Sequence, residues 1–134
     1  MIRIRIGKQK MVKGAIVVIL DEHDRVLLLY RPKAARWAPH KWGYPGGKIE
    51  KGEAPMQAAI RETKEETSLD VRNLKDINLG VDIQVRAYYT RDYDGNVSID
   101  YEHEDWAWVH PDVVDKYDLA PNVAELLEWV LENE

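Results

Sequence analysis

The chain contains two short apolar runs near its start. Residues 15–20 and 25–30 are rich in Val, Ile and Leu, and four polar residues, 21–24, join them. Apolar runs of this length with a short polar connection are typical of neighbouring β-strands. The pattern therefore predicts a β-hairpin.

Segments in which apolar and polar residues alternate predict further strands. Such alternation covers residues 1–6 and 81–89. Asp94-Gly95 is a strong signal for a tight turn, so we expect 97–101 to return as the second strand of a hairpin. Residues 106–109 predict a last short strand. One face of the segment 81–89 would carry Val81, Ile83, Val85, Ala87 and Tyr89.

Two segments have the composition and spacing of helices. Residues 55–67 combine alanines with alternating charges, and Pro55 suits the first helical position. Ala54 would then be the N-cap, where Ser or Asp is preferred. Pro121 opens a second helix, whose apolar residues recur at helical spacing and predict one buried stripe. The stripe comprises Val123, Leu126, Leu127, Val130 and Leu131.

Prolines and glycines mark the connections between these elements. Residues 32–41 contain two prolines and are expected to form a loop. Residues 42–44 predict a short strand that ends at a turn over 45–47. The order of strands, helix, strands and helix predicts an α/β fold with a mixed β-sheet between helices. With 134 residues, the chain is expected to form a single domain, residues 1–134.

The composition narrows the classes of function. Lys plus Arg number 19 and Asp plus Glu number 24, which gives a net charge of −5. This acidic balance disfavours binding to a nucleic-acid polymer, and it means that a polyphosphate ligand needs a metal ion or local positive charge. The chain has no cysteine, which excludes disulfides and thiolate chemistry and is compatible with a cytoplasmic location. The longest apolar run is too short to span a membrane.

Three carboxylates are expected to share one side of the first helix. Glu62, Glu65 and Glu66 stand at positions i, i+3 and i+4, which face the same way on a helix. Like charges at these spacings destabilise a helix unless a cation binds between them. Carboxylate oxygens are suitable ligands for Mg²⁺ and Mn²⁺, so the cluster predicts a site for a hard divalent cation. Arg61, one turn before Glu65, can orient a neighbouring carboxylate.

A glycine-rich segment with charges of both signs precedes the helix. Within residues 46–53, the adjacent Gly46 and Gly47 allow the backbone to approach a metal ion or a phosphate closely. Lys48 and Lys51 add positive charge, and Glu53 ends the segment. If the segment folds back as a loop, Glu53 lies near the acids of the helix.

The spacing of these residues resembles the Nudix (MutT-like) hydrolase box. That box reads G, five residues, E, seven residues, R-E-U-x-E-E-x-G-U, where U is a bulky aliphatic residue. Residues 47–69 follow it with two departures, Thr63 at an aliphatic position and Ser68 at the glycine. Ser68 matters if this position needs a positive φ, which Ser tolerates poorly. The residues in register are Gly47, Glu53, Arg61, Glu62, Glu65, Glu66 and Leu69.

The resemblance implies an α/β/α sandwich and metal-dependent hydrolysis of a nucleoside diphosphate linked to another group. It also implies that Arg61 orients the site. The expected ion is Mg²⁺, with Mn²⁺ as an alternative, since such ions neutralise a pyrophosphate and lower the pKa of water. The implied metal ligands are Glu62, Glu65, Glu66, Glu53 and the carbonyl oxygen of Gly47.

The position of the general base stays open. The resemblance allows either Glu62 or a distal acid on a later segment. The distal candidates are Glu102, Glu104 and Asp105. Glu102, six residues before Trp108, most resembles the family's distal glutamate ahead of a Trp-Val strand. The expected catalytic residues are Glu62, Arg61 and Glu102.

Basic and aromatic residues beside the glycine segment are candidates for substrate binding. Lys48 would face the phosphates, and Trp42 and Tyr44 would stack on a base. Because the chain has no Phe, Trp and Tyr must also fill the core, which is the competing interpretation for both aromatic residues. The histidines show no metal-ligand spacing; they are His23, His40, His103 and His110.

The resemblance makes a nucleoside triphosphate, including an oxidised one, the expected substrate, with a monophosphate and pyrophosphate as products. The sequence of residues 43–50 looks MutT-like, and this resemblance favours a nucleoside triphosphate as substrate. The alternatives are ADP-ribose or a nucleotide sugar, a dinucleoside polyphosphate, or a non-catalytic nucleotide-binding sensor on the same fold. The expected partner is a small nucleotide, with a homodimer as a further option. Neither a nucleic-acid polymer nor a membrane is expected as a partner.

Overall fold

A computed structural model of the chain describes residues 12–79 and 84–134. The strand predicted at 1–6 lies outside the described residues, as does the first part of the alternating segment 81–89. In chain order, the elements are β1 (Gly14–Ile19), β2 (Val26–Tyr30), β3 (Trp42–Gly43), β4 (Gly46–Lys48), α1 (Pro55–Thr67), β5 (Asp70–Arg72), β6 (Lys75–Ile77), β7 (Val85–Thr90), β8 (Asp92–Asp94), β9 (Asp105–Val109), a 3₁₀ helix (Pro111–Lys116) and α2 (Val123–Asn133).

The strands form two larger sheets and one strand pair. The first sheet has the order β4-β1-β7-β6, in which β1 and β7 run parallel and the other neighbours run antiparallel. The second sheet has the order β3-β2-β9 and is antiparallel. The strands β5 and β8 pair with each other. The first sheet is therefore mixed, as the order of elements predicts.

Both faces of β1 and β2 are buried, which explains why their sequences are continuously apolar. On one side, Val17 and Leu27 lie in a core that includes Ala59 of α1. On the other side, Val18 and Leu28 lie in the core that α2 covers. The two helices thus pack on opposite sides of the sheets, and the predicted α/β arrangement with a mixed sheet between helices is confirmed.

The turn predicted between β1 and β2 is confirmed, but the prediction that the two strands pair along their length as a hairpin is wrong. The connection is a tight turn, in which the Asp21 carboxylate accepts hydrogen bonds from the backbone N–H of His23 and of Arg25, each at 2.9 Å. Beyond it, β1 and β2 share only the bridge between Leu20 and Val26. The strands then separate into different sheets, because β1 pairs with β4 and β7 while β2 pairs with β3 and β9.

The hairpin predicted after Asp94-Gly95 is also wrong. The strand β8 pairs with β5, and residues 96–100 form no strand. Instead, the Ser98 N–H donates to the Thr67 carbonyl at 2.9 Å and the Asp100 N–H donates to the Glu66 carbonyl at 3.2 Å. The last carbonyls of a helix lack partners within the helix, so these bonds attach the segment to the end of α1. We call residues 96–104 the capping segment.

The glycines predicted to form a loop belong to a strand. Gly46–Lys48 is β4, and it pairs antiparallel with β1. Gly46 has a φ of 152°, and a Cβ at this position would collide with the backbone of Ala15 and Ile16. Only glycine fits there, so the pair of glycines permits close strand packing. The loop predicted at 32–41 is confirmed, and the strand predicted at 42–44 is present as the shorter β3.

Helix α1 has the predicted limits and the predicted N-cap. Ala54 is the N-cap residue and its side chain makes no capping hydrogen bond, but the Gln57 side chain accepts from the Ala54 N–H at 2.9 Å. At the other end, Ser68 adopts the left-handed conformation with a φ of 69°. The position at which the Nudix box has glycine therefore does need a positive φ, and Ser68 adopts it at some cost in strain.

Helix α2 packs through the predicted stripe with one exception. It begins at Val123, two residues after Pro121, and Asn122 is its N-cap. Four of the five predicted stripe residues are buried, whereas Leu131 is 45% exposed. Leu131 therefore lies at the margin of the stripe rather than in the core.

Candidate active site

The strand β4 positions two acids of α1. The backbone N–H of Gly46 donates a hydrogen bond of 2.8 Å to Glu66 Oε1. A Cβ on Gly47 would collide with the carboxylate of Glu62. Both acids therefore lie directly against the glycine strand, and the second glycine leaves the space that the Glu62 side chain fills.

Arg61 contacts acids of the helix and also Glu53, which lies in the segment before the helix. Its guanidinium forms a two-pronged contact with Glu53, from Nε at 2.7 Å and from Nη2 at 2.9 Å. Nη1 lies 3.3 Å from Glu65 and 3.5 Å from Glu62. Nη2 also donates to the carbonyl of Lys48 at 3.1 Å. Nη2 also lies 3.3 Å from Glu50, so one guanidinium contacts four carboxylates and ties them to β4.

The acids differ in their electrostatic surroundings. The hydrogen bonds from Arg61 lower the pKa of Glu53 to about 2. Burial raises the pKa of Glu62, because the charged form loses its hydration. Burial also raises the pKa of Glu66, to about 8, and the nearby Glu62 adds to the effect although the Gly46 N–H opposes it. Carboxylates held this close in a buried site disfavour each other's charge, which a bound divalent cation would compensate.

The capping segment brings three more titratable residues to Glu66. The His103 Nδ1 lies 2.9 Å from Asp100 Oδ1, and its Nε2 lies 3.8 Å from Glu66 Oε2. Glu102 is near enough to Glu62 and Glu66 that its charge raises the pKa of both. The site is therefore built from α1, β4 and the capping segment.

A cavity adjoins the acids on the side of the lysines. It has a volume of about 520 Å³ and is lined by Lys48, Ile49, Glu50, Lys51 and Glu62. The two lysines supply positive charge beside Glu62, in a chain whose net charge is negative. An anionic ligand entering this cavity would meet these cations next to the carboxylates.

Most of the predicted site residues lie together, and two aromatic residues do not join them. Tyr44 is buried, and its hydroxyl donates to the carbonyl of Val123 at 2.8 Å. This places Tyr44 in the core beneath α2, so the prediction that it binds substrate is not retained. Trp42 packs against Tyr30 and Tyr117 on the same α2 side, with ring centroids 5.1 and 5.2 Å away. A substrate contact by Trp42 stays a prediction.

Three neighbours of the acids were not expected from the sequence. Asp100 and His103 stand three positions apart in an acidic stretch, and that spacing is a signal that could have suggested a shared site. Their partner, Glu66, is far away along the chain. Arg31 follows β2, and the charges of Glu66 and Glu102 raise its pKa while burial lowers it more strongly. Arg31 thus adds a half-buried cation near the acids.

A mixed sheet between two helices, with clustered acids on one helix packed against a glycine strand, is the arrangement that the resemblance of residues 47–69 to the Nudix box implies. The NUDIX domain family matches residues 10–130. The chain therefore belongs to the NUDIX family and is a Nudix hydrolase. Members of this family generally use divalent metal ions.

Related proteins and structures agree with this placement. The chain is 29% identical over 120 residues to the CTP pyrophosphohydrolase of Escherichia coli, an alignment that covers 84% of this chain and 87% of that protein. It is 43% identical over 54 residues to an 8-oxo-dGTP diphosphatase of Proteus vulgaris, covering 40% of this chain and 47% of the relative. The solution structure of the E. coli ORF135 protein superposes with a TM-score of 0.71 at 26% identity, covering 94% of this chain and 92% of that one.

Within residues 12–79 and 84–134, neither helix is long and apolar enough to cross a bilayer.

Proposed function

We propose that the chain is a Mg²⁺-dependent pyrophosphohydrolase that converts a nucleoside triphosphate to a monophosphate and pyrophosphate. The observation that carries the proposal is the contact of the partly buried Glu62 and the buried Glu66 with the glycine strand, beside a cavity with two lysines. The 29% identical CTP pyrophosphohydrolase, matched over most of both chains, supports this substrate class.

Glu62, Glu65 and Glu66 fit a hard divalent ion. They supply oxygen ligands, their charges are crowded, and burial raises the pKa of two of them. Glu53 and the carbonyl of Gly47 complete the proposed donor set. When bound, the ion would neutralise the phosphate oxygens and make a water molecule easier to deprotonate.

The chain's own residues orient the reactants and accept a proton. Arg61 holds Glu53 and Glu65 in fixed positions, and Lys48 attracts the phosphate chain. Water attacks phosphorus, the bridging P–O bond breaks, and the released pyrophosphate takes the electron pair of that bond. The water's proton passes to a carboxylate. Glu102 and Glu62 are the two candidates for that base, since both lie in the acid cluster.

Product identity tests the proposal. The purified chain would be incubated with CTP, 8-oxo-dGTP, ADP-ribose and a dinucleoside tetraphosphate in Mg²⁺ and in Mn²⁺. We expect pyrophosphate and a nucleoside monophosphate from one of the triphosphates, and the Glu66→Gln variant, which loses a proposed metal ligand, should be at least about 10²-fold slower. Unchanged turnover in Glu66→Gln would contradict the proposed site. Binding of nucleotides without hydrolysis of any of them would favour a non-catalytic sensor.

A dinucleoside polyphosphate is the second candidate substrate. A C. elegans Ap4A hydrolase complex superposes with a TM-score of 0.69 at 27% identity, covering 90% of this chain and 96% of that one. Hydrolysis of the tetraphosphate-bridged dinucleotide with no turnover of the triphosphates would favour this candidate over the first.

A further inference from the structure

The capping segment contains a histidine that the proposed hydrolysis does not use. The His103 side chain is 5% exposed, and its Nδ1 lies 2.9 Å from Asp100 Oδ1. Its Nε2 faces Glu66 Oε2 at 3.8 Å, which is too long for a hydrogen bond. In the part of the chain that the structure describes, no hydrogen bond reaches this nitrogen. The ring nitrogen of a side chain that is 5% exposed thus lies near a carboxylate oxygen of a side chain that is 7% exposed, without a hydrogen bond between them.

The Asp100 contact determines which nitrogen is free to bind a metal ion. A carboxylate only accepts hydrogen bonds, so the Nδ1 of a neutral His103 carries the hydrogen and Nε2 carries the lone pair. Metal-binding histidines in proteins usually have this arrangement, in which a carboxylate holds one ring nitrogen and the other nitrogen ligates. Asp100 therefore orients His103 toward Glu66.

The distances suit a shared ion. Ligand atoms of Glu66, Asp100 and His103 all lie within 4.8 Å of one another. Two ligand atoms that are each about 2.1 Å from one ion are about 3–4 Å apart. The separation of 3.8 Å between His103 Nε2 and Glu66 Oε2 falls in this range.

We propose that His103 Nε2 and Glu66 Oε2 ligate one divalent cation, with Asp100 as the orienting carboxylate. A nitrogen ligand changes the class of ion that this end of the site prefers. Mg²⁺ takes oxygen ligands, whereas first-row transition ions accept imidazole together with carboxylate. The chain thus favours a first-row transition ion over Mg²⁺ at this position, and Mn²⁺ is the paramagnetic member of that group used as the probe below. The inference rests on the proposed function, because Glu66 belongs to both.

Pulsed electron paramagnetic resonance of the Mn²⁺-loaded full chain tests the inference without nucleotide. We expect the nitrogen coupling of a directly bound imidazole in the wild-type chain, and a changed coupling when histidine carries the heavier nitrogen isotope. The coupling should vanish in His103→Gln and persist in His23→Gln, which alters an exposed histidine in the β1–β2 turn. Asp100→Asn should weaken Mn²⁺ binding about 10-fold and Mg²⁺ binding less.

Two outcomes would overturn the inference. One is bound Mn²⁺ with no imidazole coupling in the wild-type chain, and the other is a coupling that persists in a folded His103→Gln variant. Circular dichroism would establish that the variants fold, and the isotope experiment needs no substitution. Either outcome leaves the proposed hydrolysis to be judged by nucleotide turnover in Mg²⁺, so the two failures are distinguishable.

Discussion

The acid cluster runs from the segment before α1 to the end of that helix, and glutamate has opposite electrostatic surroundings at its two ends. At the first end, Glu53 is bonded to Arg61 near the surface, and its pKa is lowered to about 2. At the second end, Glu66 is only 5% exposed, and burial raises its pKa to about 8. Glu53 is thus held as an anion by the chain itself, whereas the charged form of Glu66 needs compensation from elsewhere.

This difference shows that sequence spacing alone does not set the chemistry of an acid cluster. The guanidinium of Arg61 neutralises and orients the first end, so that end is already organised for binding. The second end meets one backbone N–H, from Gly46, a histidine and the nearby half-buried Arg31, and the pKa of Glu66 is still raised. A cation is the group that removes the cost of charging Glu66 in its buried position.

Replacing Arg61 should produce the largest effect at the first end. Arg61→Lys keeps the charge but loses the two-pronged contact with Glu53. We expect kcat to fall about 10²-fold, since small displacements of positioning groups have effects of that size. The matched control is Arg72→Lys, because Arg72 also bridges two acids, Asp92 and Asp94, each at 2.9 Å. Equal losses in both variants would contradict a special role for Arg61.

The pH dependence of stability should separate the two ends. Because the pKa of Glu66 is raised from 4.5 to about 8, the folded chain binds its proton more tightly than the unfolded chain. The stability from this group is full below pH 4.5 and is lost as the pH rises through about 8. The slope is at most about 1.4 kcal/mol per pH unit. Chemical denaturation with a chelator present, across this range, measures it.

Glu53 should act in the opposite direction. Its pKa is lowered from 4.5 to about 2, so the stability it contributes is present above pH 4.5 and is lost as the pH falls toward 2. Glu66→Gln should flatten the alkaline part of the profile and leave the acid part unchanged. An alkaline slope that is the same in Glu66→Gln would show that another group is responsible.

A smaller test concerns an unpaired polar atom at the buried end. Thr63 is fully buried, and its hydroxyl has no hydrogen-bond partner in the described parts of the chain. Thr63→Val removes that hydroxyl at nearly constant volume, so we expect a gain of about 1 kcal/mol in the free energy of unfolding. Thermal melts measure it.

The control for this substitution is on the next turn of the helix. Thr67 is equally buried, but its hydroxyl donates to the Thr63 carbonyl at 2.6 Å and accepts from the Leu69 N–H at 3.1 Å. Thr67→Val should therefore destabilise the chain by about 1–3 kcal/mol. A loss of stability in both variants would mean that the Thr63 hydroxyl is satisfied in solution.

The smallest expected effect is at the exposed start of α1. Ala54→Ser adds an oxygen that can accept the Gln57 N–H, while the Gln57 side chain already accepts the Ala54 N–H. The completed pair should stabilise the chain by about 0.5–1 kcal/mol. An unchanged melting temperature would show that the serine oxygen does not reach the helix.

The sequence predicted the helix better than the sheet. The limits of α1 follow from local signals, namely Pro55 and a run of helix-forming residues, and these hold whatever packs against the helix. Strand partners depend on residues far away along the chain. The pairing of β1 with β7 and of β8 with β5 therefore could not be deduced from the turn signals that suggested two hairpins.

The same reason explains what was missed in the site. Glu62, Glu65 and Glu66 were recognised because helical spacing brings them together. His103 joins Glu66 only because the capping segment bonds to the end of α1. Ser68 was identified as a departure from the Nudix box, and its positive φ confirms that this position needs a backbone conformation that Ser tolerates poorly.

The hydrogen bonds from the capping segment to the last turn of α1 also bear on how related chains should be compared. Ser98 and Asp100 are located by the helix carbonyls that their amides reach, not by their distance from the turn at Gly95. Insertions or deletions just after that turn can therefore be accommodated without moving His103 and Asp100. Counterparts of His103 should be sought among residues following an amide that binds the helix end, whatever their offset in an alignment.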